Sequence, residues 1–168
     1  NRDIWGGFRN AMFYTALGTI ISVTLTVLAA YPLSRKNLRG RNFIMMAVLF
    51  TMYFSGGMVP TYLLVKDLGM YNTIWAILIP NALSTYNLIV AKTFFENSIP
   101  EELYESARLD GCGNISMLLR IVLPLSKAIL AVLVLYYAVA IWNSYFDALI
   151  YLKDSSLHPL QIVLRNIL

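Results

Sequence analysis

Ile99-Pro-Glu-Glu-Leu-Tyr-Glu-Ser-Ala-Arg-Leu-Asp-Gly-Cys-Gly-Asn-Ile-Ser-Met-Leu-Leu-Arg-Ile-Val-Leu-Pro124 is the longest break between the apolar segments of this chain, and its reading decides the fold. It carries Glu101, Glu102, Glu105 and Asp110, four of the nine acidic residues. Ser98 followed by Glu101 has capping-box spacing, and Pro100 suits a first helical turn. Glu101 and Glu102 favour a helix N-terminus through its dipole. Leu103 and Ala107 share one face of that helix, and Tyr104 and Arg108 the adjoining one. Gly111 is placed for a left-handed C-terminal stop. Asp110 lies at the wrong end for the dipole and needs a compensating partner. Asn114 is placed to cap a second helix with an apolar stripe of Ile115, Leu118, Leu119 and Val122, closed by Pro124. Ser106, Ala107, Gly111 and Gly113 keep the turn compact. Periodicity alone leaves two readings open: a helical pair packed on its own chain, or one presented to a soluble partner.

The chain around this segment is too apolar for an ordinary soluble domain. It has 168 residues, 58% hydrophobic and 13% charged, with a mean hydropathy of +0.64; soluble domains carry roughly 25% charged residues. A hydrocarbon core about 30 Å thick takes ~20 helical residues to cross. Four runs meet that length, over residues 11–33, 43–65, 73–95 and 125–146. Gly18, Ser22, Thr24 and Thr26 give the first run small positions where another helix approaches closely. The second is interrupted at Ser55-Gly56-Gly57 and Pro60, and the stretch from Thr61 to Asn72 reads as a short external connection. Pro80-Asn81 falls near the middle of the third and predicts a kink. The single Cys112 excludes an internal disulfide and a cysteine-only metal cluster, and the single His158 a multi-histidine site. The chain begins at Asn1 rather than Met, which suggests a piece of a longer protein.

Charge sets the topology. Arg35, Lys36, Arg39 and Arg41 lie together between the first two runs without an acid, and short basic loops stay on the cytoplasmic side. Spans one and three then run inward, two and four outward, and the segment over 97–123 is cytoplasmic. Eight basic residues fall inside and five outside. The spread of these charges fits membrane topology better than nucleic-acid binding.

Polar groups at membrane depth usually face the bundle interior or a water-filled path. Asn81, Tyr86 and Asn87 therefore have two readings: a lining for a hydrophilic solute, or interhelical hydrogen bonds. Trp142 and Asn143 near the outer face likewise meet a solute or form an interfacial belt. An intramembrane enzyme or a passive channel would need titratable groups within the spans, and residues 11–33, 43–65 and 73–91 carry no charge. A Gly-rich phosphate loop and a metal-ligand cluster are both missing from the sequence, so no catalytic residue is assigned.

Glu105-Ser106-Ala107, three residues, Gly111, nine residues, Ile121, one residue, then Leu123-Pro124 resembles the EAA signature of permease subunits of binding-protein-dependent ABC importers. Every spacing agrees, and Ser106 in place of the first alanine is the one departure. Asp110 before Gly111, Trp142-Asn143, and Leu149 to Leu152 leading to Pro159-Leu160 resemble the carbohydrate branch, closest to its maltose-type second permease. The resemblance implies an all-α membrane protein: a truncated core of the type I importer permease with four transmembrane helices and a cytoplasmic coupling-helix pair. It implies a subunit of a sugar importer in the bacterial plasma membrane, not an enzyme. Glu105, Ser106, Ala107, Asp110, Gly111, Ile121, Leu123 and Pro124 would couple it to cytoplasmic ATPase subunits. The other implied partners are a second permease and an extracytoplasmic sugar-binding protein. No cofactor is expected on this chain; ATP and Mg belong to the ATPase. Permeases for other solutes keep the same fold and are the alternative.

Overall fold

The computed structural model describes residues 2–167, and every regular element among them is helical. Helix α1 (Arg2–Ser34) has 33 residues. No charge interrupts it between Asn10 and its end. It stops where Pro32 removes a donor from the last turn, and the Ser34 hydroxyl donates to the Tyr31 carbonyl at 2.7 Å. It is the one helix among the described residues long and apolar enough to cross a membrane alone.

The other expected runs are broken. Residues 43–65 divide into α2 (Arg41–Tyr53) and α3 (Met58–Asp67). Gly57, at φ 85°, makes a turn between them that other residues rarely enter. Over 73–95 the departure from expectation is larger than a kink. A four-residue α4 (Trp75–Leu78) is followed by irregular chain around Pro80, and α5 (Thr85–Ser98) starts afresh. The Ser84 hydroxyl caps α5 by accepting from the Asn87 N–H at 3.5 Å, which competes with a continuous helix through that point. The fourth run enters as α7 (Asn114–Met117), a π-helical turn over Leu118–Val122 and α8 (Leu123–Leu125), then turns by 84° at Ser126 into α9 (Lys127–Trp142). Counting each bent pair of helices as one span gives up to three spans by length and composition. Between α5 and α7 lies α6 (Glu101–Leu109); α10 (Tyr145–Tyr151) and α11 (Leu160–Ile167) follow α9.

The chain divides into two compact units. The first combines the stretch through Ser22, residues 54–83 and the chain from Val134 onward. Its core is Tyr14, Ile77, Leu78, Ala148, Leu152 and Ile162. Gly18 lets α1 approach closely there: a Cβ at that position would lie 2.7 Å from Ile141 Cδ1 and 2.8 Å from Leu78 Cδ2. Asn72, at φ 59°, joins two loops of this unit. Its Oδ1 accepts from the backbone N–H of Lys153 at 2.8 Å and of Asp154 at 2.9 Å. The second unit combines residues 23–53 and 84–133. It buries Thr26, Ala30, Leu88, Ala91, Phe95, Val122 and Leu133. In contrast α2 buries none of its side chains, and Phe43 and Met46 are 77% and 68% exposed. Such a surface suits lipid or another apolar partner rather than water.

Candidate functional site

Ile99 precedes a proline and is held extended, at φ −116° and ψ 111°. With Pro100 it separates α5 from α6 and overturns the expected capping box. Ser98 stays as the last residue of α5, and Pro100 takes the N-cap of α6. Glu101 is free of the capping role and turns instead to Arg35, with Nη2 to Oε1 at 3.4 Å.

Nine residues long, α6 has two different sides. Tyr104 and Ala107 are buried, at 3% and 7% exposure. The Arg35 guanidinium stacks over the Tyr104 ring, 3.4 Å from its centroid. Burial raises the Tyr104 phenol above its usual pKa, and the Arg35 charge opposes that shift. On the same side, the Asn37 amide lies against the Arg108 guanidinium; with its oxygen turned toward it, the amide accepts from both nitrogens at 3.0 and 3.1 Å. Glu102, Leu103, Glu105, Ser106, Leu109 and Asp110 are exposed.

Beyond Leu109 the chain reverses in a Schellman turn. Gly111, at φ +75°, donates to the Arg108 carbonyl at 3.0 Å, and the Cys112 N–H donates to Ala107 at 2.9 Å. These bonds satisfy carbonyls that α6 would otherwise leave open. Among the described residues Asp110 forms no ion pair, so the compensation expected for it is absent. The cap of the next helix is Gly113, and Asn114 is already helical. The expected stripe is split. Leu118 and Val122 are buried, whereas Ile115 and Leu119 are 76% and 57% exposed. From Leu118 onward a π turn adds a residue and shifts the register that 3.6-residue periodicity assumes; Ile115 lies before it, in α7. The π turn also suits Pro124, whose missing N–H deprives the Arg120 carbonyl of a helical donor. Ile121 and Leu123 are half-buried, and Pro124 is exposed. Leu109, 89% exposed, and Ile115 add an apolar surface beside the turn. The sequence hides it, because both occupy plausible core positions.

The candidate path residues are divided between the two units. Asn81, Trp142 and Asn143 belong to the first unit, Tyr86 and Asn87 to the second. Asn81 is exposed and donates to Asp147 Oδ2 at 3.1 Å. Asp147, which the sequence places near the outer face beside Trp142 and Asn143, is partly buried, and desolvation raises its pKa. Asn87 is buried, and Tyr86 is 55% exposed. Trp142 meets Phe8 edge to face at 6.3 Å, and its carbonyl accepts from Gln161 at 2.6 Å. Asn143 turns back to the Val139 carbonyl at 2.8 Å. Those contacts account structurally for Trp142 and Asn143. Among the described residues there is no group of three or more His, Cys, Asp or Glu able to hold a metal.

This all-helical chain, with an exposed Glu105-Ser106 edge and a glycine-stopped turn, belongs to the family of binding-protein-dependent transport system inner membrane components; the family profile matches residues 22–157. It is thus a membrane component of transport systems rather than an enzyme. Protein LplC of Bacillus subtilis (strain 168) is 48% identical over 94% of this chain and 53% of its own length. The polygalacturonan/rhamnogalacturonan transport system permease protein YtcP of the same organism is also 48% identical, over 94% of this chain and 54% of its own length. A crystal structure of a bacterial ABC transporter involved in the import of the acidic polysaccharide alginate superposes with a TM-score of 0.95 at 36% identity. The match covers 99% of this chain and 59% of that one. The chain therefore spans about half the length of the curated relatives it matches.

Proposed function

We propose that this chain is a permease subunit of an ATP-driven oligosaccharide importer in the bacterial plasma membrane. It crosses the membrane four times, through α1, α2–α3, α4–α5 and α9, and presents α6–α8 to a cytoplasmic ATPase subunit. A second permease completes the path, and an extracytoplasmic sugar-binding protein delivers the cargo. ATP and Mg are held by the ATPase, whose closure moves the spans.

One observation carries the reading. Glu105, Ser106, Asp110 and Gly111 of the EAA pattern are exposed along one edge of α6 and its turn, while Tyr104 and Ala107 anchor the opposite side. A charged, capped helix anchored on one side can transmit force. Ile121, Leu123 and Pro124 set the bend that leads into α9. Glycan cargo is supported by the relatives, one titled for polygalacturonan and rhamnogalacturonan and the solved transporter for alginate. Asn81, Tyr86, Asn87, Trp142 and Asn143 remain path candidates under this reading, with exposed Asn81 and its partner Asp147 the best placed to meet sugar hydroxyls.

Copurification tests the coupling. Glu105→Lys, at an exposed position where the fold itself is undisturbed, should lose the ATPase subunit and glycan uptake together. Full capture and uptake with lysine there would overturn the assignment.

A further inference from the structure

We propose that Arg35 is a positioning residue that clamps the inner side of α6, so that the end of α1 and the coupling helix move as one body. This rests on the reading of α6 as the ATPase contact and assigns the basic loop a task beyond fixing topology.

Arg35 is the first residue after α1, tied back by its N–H to the Pro32 carbonyl at 3.1 Å. Its side chain is only 10% exposed. A charge buried to that degree is costly unless it is paired. Two partners meet it, and both belong to α6: the Glu101 carboxylate at 3.4 Å and the Tyr104 ring face at 3.4 Å. A planar guanidinium can stack on a ring and meet a carboxylate at once, which an ammonium does less well. Two residues on, Asn37 engages Arg108 at the other end of α6. At the far end of the loop, Arg41 pairs with Glu96 at 2.8 Å, and Glu96 also takes Lys92 at 2.8 Å. The loop thus grips both α5 and α6.

Length makes this grip necessary. A helix of nine residues is too short to hold its shape unaided. The acids of α6 divide accordingly: Glu101 faces the clamp, and Glu102 and Glu105 face outward. A push on the outer edge reaches α1 through the stacked guanidinium.

The test uses the complete importer in proteoliposomes, with the ratio of cargo-stimulated to basal ATPase rate as readout. Arg35→Met should retain the copurifying ATPase subunit while the ratio falls about 5-fold or more, the lower range of a coupling contact. Arg35→Lys should recover part of the ratio and Tyr104→Phe nearly all, because the ring face remains. Amide hydrogen exchange over Glu101–Leu109 should quicken in Arg35→Met. An unchanged ratio, or unchanged exchange, in Arg35→Met overturns the clamp. Loss of the ATPase subunit in step with the ratio also overturns it, by making Arg35 a matter of assembly alone. If the unaltered protein captures no ATPase subunit, the permease reading fails instead, and the exchange measurement still judges Arg35.

Discussion

Replacing Gly111 separates two reasons for a glycine at the end of the coupling helix. Its φ is +75°, a region where a Cβ crowds the following carbonyl. An L-residue pays about 1–2 kcal/mol there, and Asn less because its short amide bonds locally. A Cβ at Gly111 would have nothing within 4 Å, so within this chain the cost of Gly111→Ala is backbone strain alone. If that strain is relieved by losing the turn, about 1–2 kcal/mol lowers the turn's population roughly 5- to 30-fold. ATPase capture should then weaken in the order Gly, Asn, Ala, Val, with valine worst because β-branching adds to the strain. The assay is titration of tagged permease with ATPase subunit in detergent. Asn as damaging as Val would refute the reasoning, because it would mean the partner's surface excludes any side chain. Ala equal to Gly would refute it from the other side.

Other positions make similarly specific claims. Gly18→Val should cost about 1–3 kcal/mol by overpacking against Ile141 and Leu78, read as a lower thermal midpoint in detergent. Gly6→Ala meets nothing within 4 Å and should gain up to about 1 kcal/mol of helix propensity. Asn72→Ala should lose about 3 kcal/mol, from two hydrogen bonds near 1 kcal/mol each and a left-handed backbone. Asn72→Asp keeps both acceptor contacts and should lose far less; equal midpoints for the two variants would contradict this account.

Features set by one residue and its neighbours were legible in the sequence. The left-handed stop at Gly111, the long α1 with no charge beyond Arg9 and the close approach at Gly18 follow from backbone freedom, hydropathy and side-chain size. What failed depends on competition. Ser98 has the spacing of a capping box, but Ile99 before Pro100 must be extended and pulls it out of reach. Leu118, Leu119 and Val122 have helical spacing, but the π turn at Leu118–Val122 changes the register among them. Pro80 signalled a kink, and the Ser84 cap enlarged it to a break. Arg35 was read only as a topological charge, because nothing local reveals that Glu101 and Tyr104, far along the chain, converge on it. The spacing of the EAA pattern located the candidate coupling site; which of its residues are exposed required the fold.

The central claim is that α6 and its turn face the cytoplasm and meet an ATPase there. Cys112, the single cysteine, sits in that turn with partial exposure and reports on it without any substitution. A membrane-impermeant maleimide should label Cys112 in inverted vesicles stripped of ATPase and not in right-side-out vesicles, and rebinding the ATPase should protect it. Labelling from the outer face, or labelling that the ATPase leaves unchanged, would contradict the account.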